Sequence, residues 1–265
     1  MEFLRAFFKT EMDLISFLSW MMVLSGAATA IALLVGFKAT YGRYGSESSL
    51  AKISLPARWA WFIQEAPSLA FPLYFLLASG SQGAGFLSSN TIVLLMFTAH
   101  YLQRTLIFPF LIKGGKPTPV HLVMMAFAFC CWNGYIQSAY HQLYASYDSN
   151  HLTKLTSIAG ILLFIFGMTV NIQSDEILRN LRKPGETAYK IPRGGMFEYV
   201  SGANFLGEIV EWFGYALFAQ SLPAFAFAFF TAANIGPRAL HHHKWYQEKF
   251  DNYPKSRKAL IPYIL

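Results

Sequence analysis

Asn171 to Tyr215 reads NIQSDEILRNLRKPGETAYKIPRGGMFEYVSGANFLGEIVEWFGY, and this stretch decides the fold. An apolar helix runs out at its start. The chain then turns basic, breaks on Pro184 and Gly185, and returns to apolar sequence carrying Glu208 and Glu211. Asn171, Asp175, Leu178 and Arg182 fall at offsets of 0, 4, 7 and 11, one face of a helix. Asn204, Glu208, Glu211 and Tyr215 repeat those offsets on the next helix. Two polar stripes across a basic loop suit an anionic ligand held at a membrane surface. A carboxylate in a hydrophobic span is costly unless paired, protonated or functional. The plainer alternative is that these residues only hold helices together.

Composition sets the class. Of 265 residues, 54% are hydrophobic and 13% charged, about half the charged fraction of soluble domains. An all-α, polytopic integral membrane protein is expected, with short loops and no separate soluble domain. Cys130 and Cys131 are the only cysteines. A disulfide between neighbours is strained, so both read as core or lipid-facing thiols, and neither reports a redox compartment. The start, MEFLRAFFKTEMD, lacks a small-residue cleavage site and precedes too long an apolar run for a secretory signal. Residues 1–13 are expected to lie on the membrane as an interfacial helix.

A spanning helix needs roughly 20 apolar residues. The sequence predicts seven transmembrane helices: Leu14 to Phe37, Trp59 to Ala78, Thr91 to Ile112, Val120 to Tyr140, Thr156 to Ile172, Phe205 to Ala219 and Leu222 to Ile235. The fifth is a little short. The last two are short and share a tight turn at Gln220-Ser221-Leu222-Pro223. Seventeen Lys and Arg residues fall on one side of this arrangement, and Arg5, Lys9 and Lys154 on the other. The positive side is cytosolic, which puts the N-terminus outside and the C-terminus in the cytosol. The Ser81 to Asn90 loop carries no charge and suits an outer turn.

Glu65, His100, Arg104, Glu208 and Glu211 are ionisable groups inside apolar runs. A carboxyl such as Glu65 and a phenol such as Tyr101, close together in an apolar cavity, share a hydrogen bond and polarise a ketone oxygen. The alternatives are a Glu65–Arg104 ion pair that staples the second and third helices, and Tyr101 as ordinary packing. Arg182, Lys183, Arg193, Arg238 and Arg257 form a basic belt able to grip phosphates, although topology alone also concentrates cations there. Arg238, His242 and Tyr246 recur at i, i+4 and i+8. His241-His242-His243 point different ways on a helix and chelate one metal poorly, and HExxH is absent. No metal is expected. GxGxxG and the Walker pattern are absent too, so a dinucleotide would bind without a Rossmann fold. The Lys113-Gly114-Gly115-Lys116 turn is a weak phosphate signal. Nucleic acid is not an expected partner, because the basic residues follow a membrane face.

NIQSDEILRNLRKPGE, then Y-x-I-P-x-G-G-x-F-x-Y-V-S-G-A-N-F-L-G-E-I-x-E-W, then LHHHKWY and YPKSRKALIPYIL resemble the steroid 5α-reductase family, closest in pattern to the type 2 enzymes. LPARWAWFIQEAPS and AHYLQRT also fit, so the resemblance covers roughly Lys52 to the C-terminus. It implies a single membrane domain over 1–265, with 171–265 the main NADPH-binding region. It implies NADPH-dependent reduction of the Δ4 double bond of a 3-oxo steroid. By the family pattern Glu65 and Tyr101 hold the 3-keto oxygen with Gln64 alongside, Trp61 flanks the steroid, and Arg104 belongs to the same site. Tyr41, Asn171, Asp175, Arg182, Tyr189, Asn204, Glu208, Arg238, His242, Tyr246 and Arg257 line the NADPH site. The chain departs from relatives at KGGKP, where they often carry arginines, and at Gln103, where some carry histidine. Other readings are a sterol double-bond reductase, an isoprenylcysteine-type methyltransferase, or a seven-helix lipid carrier. The host membrane is expected to be a bacterial inner membrane or the endoplasmic reticulum. No feature marks an obligate protein partner.

Overall fold

The computed structural model describes residues 8–37, 53–79, 88–181, 186 and 188–265. Seven long helices are present among them: α1 (Glu11–Leu34), α2 (Ala57–Ser79), α3 (Ser89–Leu111), α4 (Val120–Tyr144), α5 (Leu155–Asn180), α6 (Ala203–Ala219) and α7 (Leu222–Lys249). A two-residue antiparallel pairing, β1 (Ser54–Leu55) with β2 (Thr118–Pro119), ties the approach to α2 to the start of α4. Four helices, α1, α3, α4 and α5, are long and apolar enough to cross a membrane. The other three fall short of that measure. α6 has only 17 residues and carries Glu208 and Glu211, α2 contains Gln64, Glu65 and two prolines, and the last part of α7 is basic. Large apolar side chains stand exposed along α1 and α5, among them Leu24, Ile31, Leu155, Leu162 and Phe166. Such a surface suits lipid rather than water.

Two helices outrun their sequence expectation by about two turns or more. α5 continues past Ile172 to Asn180, and α7 continues past Ile235 to Lys249. Hydropathy marks where a helix leaves the apolar layer, not where its hydrogen bonding ends. Beyond Ile235 the chain still offers strong helix formers, Arg238, Ala239, Leu240 and Lys244. The α6–α7 turn is as expected: Gln220 takes a left-handed conformation, and the Ser221 side chain accepts from the Ala224 N–H to cap α7.

The most extensive contact is α5 against α6, and its cause is glycine. Cβ atoms built on Gly167 and Gly207 would lie 2.3 Å from Glu211 N and 2.5 Å from Asn171 N. At Gly160 and Gly214 they would lie 2.7 Å from Phe218 N and 2.5 Å from Phe164 N. Each helix thus carries two glycines seven residues apart, and the two backbones touch at both places. Lipid supplies little hydrophobic drive for helix association, so close backbone packing on small residues takes over. Against this pair packs an aromatic core of Phe97, Tyr101, Trp212, Tyr215 and Phe227. Trp212 lies 4.4 Å, centroid to centroid, from Phe227, and Phe97 lies 4.6 Å from Tyr101. Each such aromatic pair adds about 1 kcal/mol beyond its buried area.

Candidate functional site

The glycine contacts bring the two polar stripes face to face. Asn171 Nδ2 donates to the Asn204 carbonyl at 3.0 Å, and Asn204 Nδ2 donates to Asp175 Oδ1 at 3.4 Å. Asp175 Oδ2 accepts from Arg104 Nη1 at 2.9 Å, which carries the network from α5 to α3. The expected alternative for Arg104, an ion pair with Glu65, is therefore not what forms. Asp175 takes that place because it projects from α5 toward the π turn Gln103–Ile107 of α3. Pro109 explains the π turn: it has no N–H for the Thr105 carbonyl, and its ring crowds that carbonyl. The Phe108 N–H bonds to Gln103 O instead. Such turns recur at functional sites. The Arg104 guanidinium lies 4.7 Å from the Trp61 ring centroid and 4.3 Å from that of Phe108. Trp61 and Phe108 thus flank a desolvated cation. Glu208 lies within electrostatic range of Arg104, His100 and Asp175. One turn on, fully buried Glu211 shares a 2.8 Å hydrogen bond with His100 Nδ1.

Glu65 and Tyr101 converge from α2 and α3. Tyr101 is buried, and the Glu65 carboxylate lies within its electrostatic reach. Among the described contacts they share no direct hydrogen bond. Glu65 Oε1 instead accepts from Gln64 Nε2 at 3.3 Å, and Oε2 accepts from the Cys130 thiol at 3.7 Å. Glu65 sits two residues before Pro67 on a helix pressed against α4, and that crossing turns it toward Cys130. A Cβ on Gly134 would lie 3.2 Å from both Pro67 O and Ser68 Cα.

A second group gathers where α7 meets the start of α6. The Arg238 guanidinium lies 5.8 Å from the Phe205 ring and the His242 ring 5.3 Å from it, so Phe205 seats both beside Asn204. Tyr246 stacks on Tyr253 at 5.4 Å, and Tyr189 meets Trp245 at 4.9 Å. Arg257 is buried. Its Nη1 donates to Pro192 O at 3.1 Å, and its guanidinium lies 5.3 Å from the Tyr253 ring. The tail reaches it by pairing back on the loop: Ser201 N–H donates to Lys258 O at 2.8 Å and Lys258 N–H to Tyr199 O at 2.9 Å. Gly194, at φ +91°, makes the turn before this pairing, a conformation open to glycine.

Of the candidate residues, Trp61, Gln64, Glu65, Tyr101, Arg104, Asn171, Asp175, Asn204 and Glu208 form the inner group. Tyr189, Arg238, His242, Tyr246 and Arg257 form the outer one. Tyr41 and Arg182 lie outside the described residues. So do residues 1–7 of the interfacial segment and most of the Ser81 to Asn90 loop. The three histidines go separate ways, with His242 on Phe205 and His243 Nδ1 bonded to Ser201 at 2.6 Å. Lys113 of the KGGK turn donates to Asn180 Oδ1 at 2.8 Å. Sequence reasoning missed Cys130, taken as plain core, because no pattern links it to Glu65 some 65 positions away. It also missed the four glycines, although their repeated seven-residue spacing was visible.

The family model described as 3-oxo-5-alpha-steroid 4-dehydrogenase matches residues 116–265. The chain is 49% identical over 258 residues to 3-oxo-5-alpha-steroid 4-dehydrogenase 1 of Rattus norvegicus, covering 96% of this chain and 98% of that protein. It is 48% identical over 247 residues to the type 2 protein of Homo sapiens, covering 91% and 96%. It is 51% identical over 226 residues to the human type 1 protein, covering 84% and 85%. Types 1 and 2 are matched about equally. With its membrane-length helices and its buried polar network, the chain belongs to the 3-oxo-5-alpha-steroid 4-dehydrogenase family of oxidoreductases.

Proposed function

We propose that this membrane protein uses NADPH to reduce the Δ4 double bond of a 3-oxo-Δ4 steroid or a similar enone lipid. One observation carries the reading: a polar path runs through apolar surroundings from Arg104 to Asp175, Asn204 and Asn171, and its Arg104 end lies one turn from Tyr101 on α3 and against Trp61, one turn from Glu65 on α2. A packing role alone does not need an acid, a phenol and an arginine in one desolvated place. The names of the relatives supply the substrate class and the bond.

The residues present fit a pyridine dinucleotide. Arg179 Nη1, Ser174 Oγ and Arg257 Nε are buried without hydrogen-bond partners, while Arg257 Nη2 faces the Glu198 carboxylate at 3.9 Å; unsatisfied buried donors call for a polar or anionic ligand. We assign Asn171, Asp175, Asn204 and Glu208 to the nicotinamide half. Tyr189, Arg238, His242, Tyr246 and Arg257, joined by Tyr41 and Arg182, hold the phosphate and adenosine half. NADPH supplies the hydride for C5 of the steroid when bound. Tyr101 donates a hydrogen bond to the 3-keto oxygen, and Glu65, steadied by Gln64, holds that end of the enone. Tyr101, and Glu65 in its carboxylic acid form, donate to the oxygen and stabilise the charge that develops there as C4 takes its proton. Trp61 flanks the steroid, and Arg104 holds Asp175 in place. The steroid enters from lipid and the cofactor from the basic, cytosolic side. That arrangement goes with seven crossings and an outer N-terminus.

Glu65→Gln and Tyr101→Phe, separately, are expected to lower turnover of a 3-oxo-Δ4 steroid by about 100-fold or more. NADPH binding, followed by nicotinamide fluorescence, should survive. Unchanged turnover in either variant rejects the assignment.

A further inference from the structure

Glu65 and Tyr101 stand on different helices and share no hydrogen bond among the described contacts. Two small side chains lie beside Glu65. Ser68 is one turn from Glu65 on α2 and fully buried. Its hydroxyl donates to the Cys130 carbonyl at 3.3 Å. Cys130, on α4, in turn donates its thiol to Glu65 Oε2 at 3.7 Å. The path Glu65–Cys130–Ser68 therefore ties α2 to α4 beside the Glu65 carboxyl group. The close crossing at Gly134 holds α4 against Ser68.

We infer that Cys130, its backbone anchored by Ser68, is a positioning residue for the Glu65 carboxyl group of the Glu65–Tyr101 pair. This rests on the assignment of Glu65 and Tyr101 proposed above. A direct Glu65–Tyr101 hydrogen bond would satisfy both groups and leave nothing for substrate. The Cys130 thiol holds Glu65 Oε2 from the side and leaves the phenol O–H of Tyr101 for a ketone. The thiol is a weak donor, so it orients the carboxyl group without replacing the substrate as its partner.

The test compares Cys130→Ala, Cys130→Ser, Ser68→Ala and Glu65→Gln, the first three also combined with Glu65→Gln, in the full-length protein in detergent with NADPH and a 3-oxo-Δ4 steroid. Cys130→Ala and Ser68→Ala are expected to lower kcat about 5- to 10-fold, the scale of one hydrogen bond, with steroid KM changed less than about 3-fold. Cys130→Ser keeps a donor at that place and should recover most of the kcat. In the Glu65→Gln background the Cys130→Ala loss should largely vanish, because the group it orients is gone. Wild-type kcat in Cys130→Ala and Ser68→Ala, beside a Glu65→Gln variant that is inactive, overturns the inference and leaves the acid-pair reading standing. Equal losses in Cys130→Ala and Cys130→Ser reduce the thiol to packing and also overturn it. Full activity in Glu65→Gln refutes the acid-pair reading and the bridge with it.

Discussion

Alanine at Gly207 is the sharpest perturbation of this site that touches none of its polar groups. The added methyl would sit 2.5 Å from Asn171 N, 2.8 Å from Gly167 O and 3.0 Å from Asn171 Cα. All three are backbone atoms, so no side chain can rotate away. Carbon contacts settle near 3.5 Å or more, so α5 and α6 must separate by roughly 1 Å. Overpacking of this kind costs about 1–3 kcal/mol, and rigid backbone on both sides favours the upper end. The same shift pulls Asn171 from the Asn204 carbonyl, now at 3.0 Å, and takes Asn204 Nδ2, already 3.4 Å from Asp175, out of range. Gly236→Ala is the control. A Cβ there meets nothing nearer than Leu260 Cδ2 at 3.9 Å, and alanine is favoured over glycine in a helix by about 1 kcal/mol. Thermal unfolding in detergent and NADPH titration read both variants. Gly207→Ala is expected to melt lower by about 5 °C or more and to bind NADPH at least about 10-fold more weakly, while Gly236→Ala matches or exceeds the parent. If the two variants behave alike, the glycine contact does not set the site and the reasoning fails.

Three further outcomes follow from named contacts. Asp175→Ala removes the carboxylate that pairs with buried Arg104 at 2.9 Å, and losing one partner of such a pair costs about 3–5 kcal/mol; a melting temperature within about 2 °C of the parent contradicts this. Burial, with Lys258 and Arg257 nearby, holds His243 below its ordinary value of 6.5. The unfolded chain then takes up the proton first, so stability is full above about pH 6.5 and falls as pH drops toward the lowered value; His243→Gln should flatten that slope but not abolish it, because burial also lowers His151. Glu11→Ala removes the carboxylate that accepts from Tyr135 at 2.7 Å and Tyr144 at 2.8 Å, tying α1 to α4; the contact is exposed, so a loss of about 1 kcal/mol or less is expected in unfolding measurements, and a collapse of expression would speak against it.

The sequence by itself determined the all-α membrane class, the positions of seven helices and the two polar stripes. Each depends on periodicity or on a count of apolar residues, and both are local. The motifs from Asn171 to the tail also carried the family. Helix ends were less legible: α5 and α7 run on because backbone hydrogen bonding continues after hydropathy stops. Only the tertiary structure decided the partners. Arg104 pairs with Asp175 rather than Glu65, and Glu65 bonds to Cys130 rather than Tyr101. These choices depend on how closely α5 meets α6 at Gly167 and Gly207, and α2 meets α4 at Gly134. Contact between helices distant in sequence is fixed by which backbones can touch, and no spacing along one strand of residues records that.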